Sequence, residues 1–327
     1  MKFTKRINES LKQRLLNEEE EFQFTADMFT KTKGGLIFNG FVNNKPKNIP
    51  AKFEIPEEFE GQKVIAIGMN AFSQCYNINE VVIPKTVTEI YADAFYMCKN
   101  LKKVEILGKL VSIGLRAFYS AIALQSINIP NSVEYIGEEA FHNCRNLTSI
   151  KLPNSVKTIG DEAFSHCSEL TSIELPNSIN KIASGTFYYC EKLTSVKIPN
   201  SVTSIGSNAF FKCADLKSIT LPDGVTSIGS GAFWGCTSLT SIVIPDSVTS
   251  IGSSAFYDCS ALTSVTIGNN VTSIEYNAFR NCSALTSITI PEDCKLGDSV
   301  FAGCNAIKKI NGMEIPKSIL KVFLRND

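Results

Sequence analysis

Apolar and small polar residues follow one another along this chain in a pattern that repeats at a constant interval. Its clearest landmark is a phenylalanine, preceded in most copies by alanine, that recurs at a step of 23 until a last step of 22. The landmark residues are Phe72, Phe95, Phe118, Phe141, Phe164, Phe187, Phe210, Phe233, Phe256, Phe279 and Phe301. A fixed period in this range, with aliphatic residues at fixed offsets, is typical of a leucine-rich-repeat solenoid, whose units share one continuous core.

Each repeat contains one segment whose pattern predicts a short strand. Leucine or isoleucine comes six residues after the landmark, and further aliphatic residues come nine and eleven residues after it, as in Ile242 and Ile244. Alternate side chains of an extended segment point to one side. Proline usually follows, as at Pro245, and ends the strand because it cannot donate to a ladder. Stacked units would then form a parallel sheet, which we expect on the concave side of a right-handed solenoid.

The rest of each repeat is too short for more than about two turns of helix. The segment from Ser253 to Ser260 illustrates this, and it predicts a short helical or 3₁₀ turn on the convex side. The predicted fold is therefore an α/β leucine-rich-repeat solenoid, with a parallel sheet on one face and helical turns on the other.

The two ends of the chain depart from the repeat. Residues 1–50 carry Ile7, Leu11, Leu15 and Leu16 at helical spacing, which predicts a helical N-terminal cap or an attachment segment. The solenoid of about eleven units is expected over residues 51–312, beginning with a unit that is five residues longer than the others near Gly61. Residues 313–327 are the predicted C-terminal cap.

Charge and hydropathy exclude some classes of function. Lysine plus arginine equals aspartate plus glutamate at 32 each, so a nucleic-acid or anionic membrane partner has no electrostatic support. No stretch of 18 apolar residues predicts a transmembrane helix, and no apolar region of a Sec signal peptide follows the basic start. The place where the protein works is left open by these observations.

The repeat L-T-S-I-x-I-P-x-S-V-T-S-I-G-x-x-A-F-x-x-C resembles the BspA-like class of leucine-rich repeats over about residues 50–312. Members of that family are mostly bacterial and protozoan proteins that are often found on cell surfaces, and some of them bind host or matrix proteins. The resemblance implies a binding scaffold. It transfers no catalytic residue and no named ligand, since the shared motif is a folding motif.

Two sets of residues are candidates for a contact surface. Aromatic residues directly follow several landmarks and would form a stripe along the convex side. Such residues are enriched in binding hot spots. They are Tyr96, Tyr119, Tyr188, Phe211, Trp234 and Tyr257. The outward positions of the predicted strands vary most at Glu105, Asn128, Lys151, Glu174 and Lys197. Mutual shielding of the rings and cross-strand charge pairing explain the same patterns without a ligand.

The remaining polar residues nominate no reaction. Ten of the eleven cysteines share one repeat position, which favours buried, reduced thiols over paired disulfides. His142 and His166 would lie on neighbouring rungs near Cys144, but no short cysteine–cysteine spacing supports zinc, and both histidines are expected to be exposed. The serine and threonine ladders have no recurring base or acid beside them, and they are expected to solvate a strand face.

The sequence therefore predicts a non-enzymatic scaffold that binds or adheres to a protein partner, with no cofactor and no metal. The alternative is a structural subunit of a larger particle, assembled through residues 1–35. Neither hypothesis names the ligand.

Overall fold

The computed structural model describes residues 22–41, 45–46 and 48–314. In this part of the chain, the repeats form a β-solenoid of about eleven turns, one for each landmark phenylalanine. The predicted α/β class is wrong, because the described residues hold many short strands and a single 3₁₀ helix at Ala26–Met28. Each repeat contributes one rung with one irregular turn, and most rungs carry two short strand segments.

The predicted strand is present and forms the first sheet, which runs along the solenoid in three stretches. Inward aliphatic residues alternate with outward polar ones, as in Ser241–Ile244, where Ile242 and Ile244 are buried. Neighbouring rungs pair in parallel, one repeat apart over most of the array, as Ser241 pairs with Ser264. Its strands are Lys52–Glu54, Glu80–Ile83, Lys103–Ile106, Ser172–Glu174, Ser195–Lys197, Ser241–Ile244, Ser264–Ile267, Ser287–Thr289 and Lys309–Ile310.

A second parallel sheet, which the sequence pattern did not predict, runs beside the first in two stretches that are separated between Ile159 and Lys181. It arises from the Val-Thr-Ser-Ile segment of each repeat, whose isoleucine is inward, as at Ile251, while the serine and threonine remain outside. Two residues per rung are enough because the ladder continues from rung to rung. Its strands are Gln62–Ile67, Glu89–Ile90, Ser112–Ile113, Tyr135–Ile136, Thr158–Ile159, Lys181–Ile182, Ser204–Ile205, Ser227–Ile228, Ser250–Ile251, Ser273–Ile274 and Lys295–Leu296.

The segment around each landmark phenylalanine is an irregular turn, so the predicted helical or 3₁₀ turns are wrong. In every rung, the residues two before and two after the phenylalanine have a positive φ, as Ser254 (55°) and Asp258 (57°) do around Phe256. Two left-handed residues within five positions interrupt a right-handed helix. The backbone N–H of Phe256 instead donates to the carbonyl of Ala278 on the next rung, at 2.7 Å.

The core is a stack of identical layers. Landmark rings on successive rungs lie nearly parallel, with centroids 4.9 Å apart for Phe72 and Phe95 and 6.0 Å apart for Phe164 and Phe187. Aliphatic residues of both sheets and the small alanine before most of the phenylalanines complete each layer, and most of them have no exposed surface. One layer alone would leave both of its faces in water, so the stability of each unit depends on its neighbours.

The N-terminal end is closed by phenylalanine side chains and a β-hairpin. The predicted helical cap is not supported: residues 1–21 lie outside the described residues, and strands Phe29–Lys31 and Leu36–Phe38 pair antiparallel just after them. Phe53 lies at the centre of the cluster, and Phe22, Phe24, Phe38, Phe41 and Phe72 surround it at centroid distances of 5.2–5.8 Å.

The five extra residues of the first repeat form a second small hairpin. Glu58–Phe59 pairs antiparallel with the start of Gln62–Ile67, and Gly61 lies at its turn with a φ of 75°. At the opposite end of the array, Lys309–Ile310 pairs antiparallel with Met313–Glu314. The predicted C-terminal cap otherwise lies in residues 315–327, outside the described residues.

Candidate functional site

The aromatic residues of the predicted stripe lie side by side on the turns. Each follows a core phenylalanine and precedes a left-handed residue, so the same backbone geometry on every rung places the rings in register. Ring centroids are 5.1 Å apart for Tyr96 and Tyr119, and 4.7 Å apart for Tyr188 and Phe211. Phe211 and Trp234 are 5.3 Å apart, and Trp234 and Tyr257 are 4.5 Å apart. All six predicted residues are half-buried.

Two histidines join the two parts of this stripe into one row. The imidazole of His142 is parallel to the ring of Tyr119, with centroids 4.6 Å apart. His166 lies 5.3 Å from His142 and stacks on Tyr189 at 5.0 Å. The expectation that both histidines are exposed is wrong, because both are partly buried between neighbouring rings. We call this continuous set of rings, from Tyr96 to Tyr257, the aromatic row.

An arginine lies over each end of the aromatic row. The guanidinium of Arg116 is 5.9 Å from the ring centroid of Tyr96, and that of Arg280 is 6.0 Å from the centroid of Tyr257. Both distances fall within the range of a cation–π contact. Four pairs of neighbouring rings in the row are stacked, so their facing surfaces are covered. A partner would therefore meet a packed row of rings and not isolated side chains.

Burial in the row changes the protonation of its titratable groups. Desolvation, followed by repulsion from His166, lowers the pKa of His142 from 6.5 to about 4. Desolvation also lowers the pKa of His166. The carboxylate of Glu162 lies 3.3 Å from Nδ1 of His142, and burial raises its pKa. Both imidazoles are therefore uncharged at neutral pH.

The five candidate residues of the first-sheet face lie on five successive rungs and are partly or fully exposed. Glu174 and Lys197 form a cross-strand ion pair of 2.6 Å, and the hydrogen bond from Lys197 lowers the pKa of Glu174. Glu105 accepts a bond of 3.1 Å from Lys103 of its own strand. Asn128 and Lys151 are opposite each other in a parallel bridge. Much of the variation on this face is accounted for by charge pairing between neighbours, which leaves little of it to select a ligand.

The shared cysteine position bonds the turns together. The thiol of each cysteine from Cys144 to Cys304 that occupies this position donates to the carbonyl of the core phenylalanine on the preceding rung, at 3.0–3.3 Å. Burial raises the pKa of Cys167 to about 12, so this thiol stays protonated and can donate. All eleven cysteines lie within the described ranges and are free, as the sequence predicted.

Threonines of the strand faces also bond successive rungs, which the sequence analysis missed. The hydroxyl of Thr263 donates to the carbonyl of Thr240 at 3.0 Å, and that of Thr226 donates to the carbonyl of Thr203 at 3.1 Å. Their expected role was only to solvate the strand face. A fixed separation of one repeat between donor and acceptor was the signal that could have revealed these bonds.

The described residues hold no group of three or more histidine, cysteine, aspartate and glutamate side chains that could bind a metal ion. Within the same ranges, no helix has the length and hydropathy needed to cross a membrane. This part of the chain offers rigid surfaces and no assembled set of reactive groups.

Architecture and surface together define a β-solenoid repeat scaffold. The sequence profile of the BspA type leucine rich repeat region matches residues 65–193, 111–238 and 203–323. The chain therefore belongs to the BspA-type leucine-rich-repeat family. No curated protein matches it.

Solved structures with the same fold come from several bacteria. A leucine rich cell surface protein from Faecalibacterium prausnitzii is 26% identical, with 94% of each chain covered and a TM-score of 0.50. The T. pallidum leucine rich repeat protein TpLRR is 29% identical, covering 60% of this chain and 91% of its own, with a TM-score of 0.54. The pneumococcal vaccine antigen PcpA is 21% identical, covering 86% and 80%, with a TM-score of 0.63, and it supports the fold alone.

Proposed function

We propose that this protein is a non-enzymatic scaffold that binds a protein partner through the aromatic row, and that it does so at a cell surface. The observation that carries the proposal is the section from Tyr188 to Tyr257, where aromatic residues on four successive rungs are half-buried and held by mutual contacts. Rings fixed before binding lose little conformational entropy when a partner docks. Tyrosine and tryptophan are also among the residues most enriched in binding hot spots.

Support for the surface location comes from the Faecalibacterium prausnitzii protein, which is described as a cell surface protein. A repeat scaffold with a rigid exposed face suits adhesion, because a solenoid presents a long surface without needing to rearrange. No catalytic family is indicated by the comparisons. The first-sheet residues from Glu105 to Lys197 are the less favoured binding surface, because several of their charges are already paired.

A binding experiment with matched variants tests this proposal. The stripe variant replaces Tyr188, Phe211, Trp234 and Tyr257 with serine, and the control variant replaces Glu105, Lys151, Glu174 and Lys197 with serine on the first sheet. Each immobilised protein is exposed to extract from its native source and to a panel of purified extracellular matrix proteins. We expect a partner that the wild type and the control retain and the stripe variant loses, with both variants folded by circular dichroism. Equal retention by the folded stripe variant would contradict the proposal.

The alternative is a structural subunit that is attached through residues 1–35. Part of this range belongs to the folded N-terminal end of the solenoid. Residues Phe29–Lys31 are a strand of the N-terminal hairpin, and the rings of Phe22 and Phe24 are part of the phenylalanine cluster. Deleting residues 1–35 would therefore open the core and confuse loss of attachment with loss of stability. Deletion of residues 1–21 alone tests the alternative, because it leaves the N-terminal hairpin and the phenylalanine cluster in place.

A further inference from the structure

The outer face of the second sheet is apolar on its first rungs and polar afterwards. On the middle and later rungs these outward positions mostly hold serine, threonine and glycine, as at Thr226, Ser230 and Gly252. On the first rungs several of these positions hold larger apolar side chains, which we call the side patch: Ile65, Met69, Tyr91, Val111, Leu115 and Tyr135. On the second of these rungs, Thr88, Glu89 and Ala92 share the face with Tyr91. The substitutions lie on one face of four consecutive rungs, so they are not scattered departures from the repeat.

Backbone pairing places these residues next to each other. The N–H of Asn70 donates to the carbonyl of Ala92 and that of Asp93 to the carbonyl of Leu115, which puts Met69, Ala92 and Leu115 in one line across three rungs. Tyr135 pairs in register with Ser112, the residue after Val111. Met69, Val111, Leu115 and Tyr135 are between 38% and 59% exposed. Contiguous exposed apolar surface of this kind marks a contact site.

Acidic residues border the side patch on the following rungs. Glu134, Glu138 and Asp161 are exposed, and Glu138 and Asp161 continue the line of Met69, Ala92 and Leu115. Glu134 forms an ion pair of 2.7 Å with Lys157. A segment that covers this face should therefore combine apolar side chains with positive charge.

Residues 1–16 of this chain have that composition. Their apolar residues are Met1, Phe3, Ile7, Leu11, Leu15 and Leu16, and their basic residues are Lys2, Lys5, Arg6, Lys12 and Arg14, against one acidic residue, Glu9. The described chain begins at Phe22, whose ring contacts Phe41 and Phe53 at the same end of the solenoid as the side patch. About twenty residues reach up to roughly 60 Å when extended, while four rungs span roughly 15–20 Å.

We propose that residues 1–16 dock on the side patch of the same molecule, with their basic side chains facing Glu134, Glu138 and Asp161. Covalent connection gives the segment a high effective concentration at this face, so a modest apolar contact is enough to hold it. Docking would cover the apolar substitutions of the first rungs while leaving the aromatic row open. The proposal does not depend on the row being a binding surface.

Limited trypsin digestion of the full-length protein tests this contact, because five basic cleavage sites lie within residues 1–16. We expect cleavage there to be at least about fivefold faster in the double variant Val111→Asp/Leu115→Asp than in the wild type. Val243→Asp is the control, since Val243 is 63% exposed on the first sheet and should leave the cleavage rate unchanged. Circular dichroism confirms that each variant is folded.

Dilution of the protein distinguishes docking of residues 1–16 on their own molecule from docking on a second copy. Protection that is unchanged over a hundredfold dilution supports docking within one molecule. Protection that disappears on dilution would mean that a second copy supplies the segment, and this outcome overturns the proposal. Equal cleavage rates in the wild type and the double variant also overturn it, because the side patch would then be uncovered by this segment.

Discussion

The Sγ of Cys236 lies 3.2 Å from the carbonyl oxygen of Phe210, which is 26 residues earlier in the chain, and donates a hydrogen bond to it. The same carbonyl accepts the backbone N–H of Cys213, on its own rung, at 3.2 Å. One phenylalanine carbonyl thus receives a donor from its own rung and another from the next rung. The cysteine position acts as a link between layers as well as a small apolar group of the core.

The unit around Phe118 offers a test of this link, because Ala121 takes the cysteine position there. We expect Ala121→Cys to stabilise the fold, since the new thiol can reach the carbonyl of Phe95. Cys144→Ala should destabilise it by about 1 kcal/mol, from one lost hydrogen bond and a small cavity. Thermal unfolding followed by circular dichroism measures both changes. Destabilisation by Ala121→Cys would contradict the proposed role.

Thiol reactivity should distinguish Cys294 from the other ten cysteines. Cys294 is partly exposed, whereas the others are buried, and burial raises the pKa of Cys75 to about 11. Only the thiolate reacts rapidly with alkylating reagents. We expect iodoacetamide at neutral pH to modify Cys294 first in the native protein, and all eleven cysteines only after unfolding. Peptide mass spectrometry reads out the order, and early modification of Cys236 would contradict the assignment.

Stability should fall as the pH is lowered from 7 toward 4, through His142. Its pKa is lowered from 6.5 to about 4 in the folded protein, so the unfolded state binds the proton first as the pH falls. The stabilisation is complete above about pH 6.5 and is lost progressively down to about pH 4. His142→Tyr, which copies Tyr119 on the preceding rung, removes this titration.

Melting temperature measured from pH 7.5 to 5.0 checks this prediction. We expect the melting temperature of His142→Tyr to fall less steeply with decreasing pH than that of the wild type. Some dependence on pH should remain, because burial lowers the pKa of His166 as well. Burial raises the pKa of Glu162, so protonation of this carboxylate favours the folded state as the pH falls and opposes the effect of the histidines. Identical slopes for the two proteins would show that His142 is not desolvated in the row.

The left-handed turn residues should tolerate glycine and resist branched side chains. Gly231 has a φ of 63° and holds the position that Ser254 holds, at 55°, on the next rung. We expect Gly231→Val to destabilise the fold by at least about 1–2 kcal/mol, because an L-residue with a branched side chain disfavours this conformation. The control is Ser230→Val at the exposed neighbouring position. Thermal unfolding compares the two, and equal effects would contradict the turn geometry.

Phe53 should be among the most sensitive positions of the N-terminal end. It is buried and contacts five other phenylalanine rings at 5.2–5.8 Å. Phe53→Ala is expected to destabilise the fold by about 3–5 kcal/mol. Phe29→Ala is the control, since Phe29 is only half-buried and should cost less. Chemical unfolding monitored by circular dichroism measures the difference, and a smaller effect at Phe53 would contradict its central place.

The sequence predicted what each repeat must bury. The constant spacing of the landmark phenylalanines, with Ile242 and Ile244 at fixed offsets, indicated the solenoid, its core and the first sheet. The sequence also pointed to a stripe of aromatic residues from Tyr96 to Tyr257. These features depend on residue type and period, because a side chain that recurs once in every repeat meets the same environment on every rung.

Other features depended on the stacking of rungs. A two-residue strand such as Ser250–Ile251 has no pattern of its own and exists because its neighbours continue the ladder. The left-handed turns around Phe256 follow from bonds to the next rung, so local propensity suggested helix where none forms. His142 joins the aromatic row because its backbone, not its polarity, fixes its place beside Tyr119. Period alone determined what lies inside each layer, and the contacts between layers decided the turns, the second sheet and the surface.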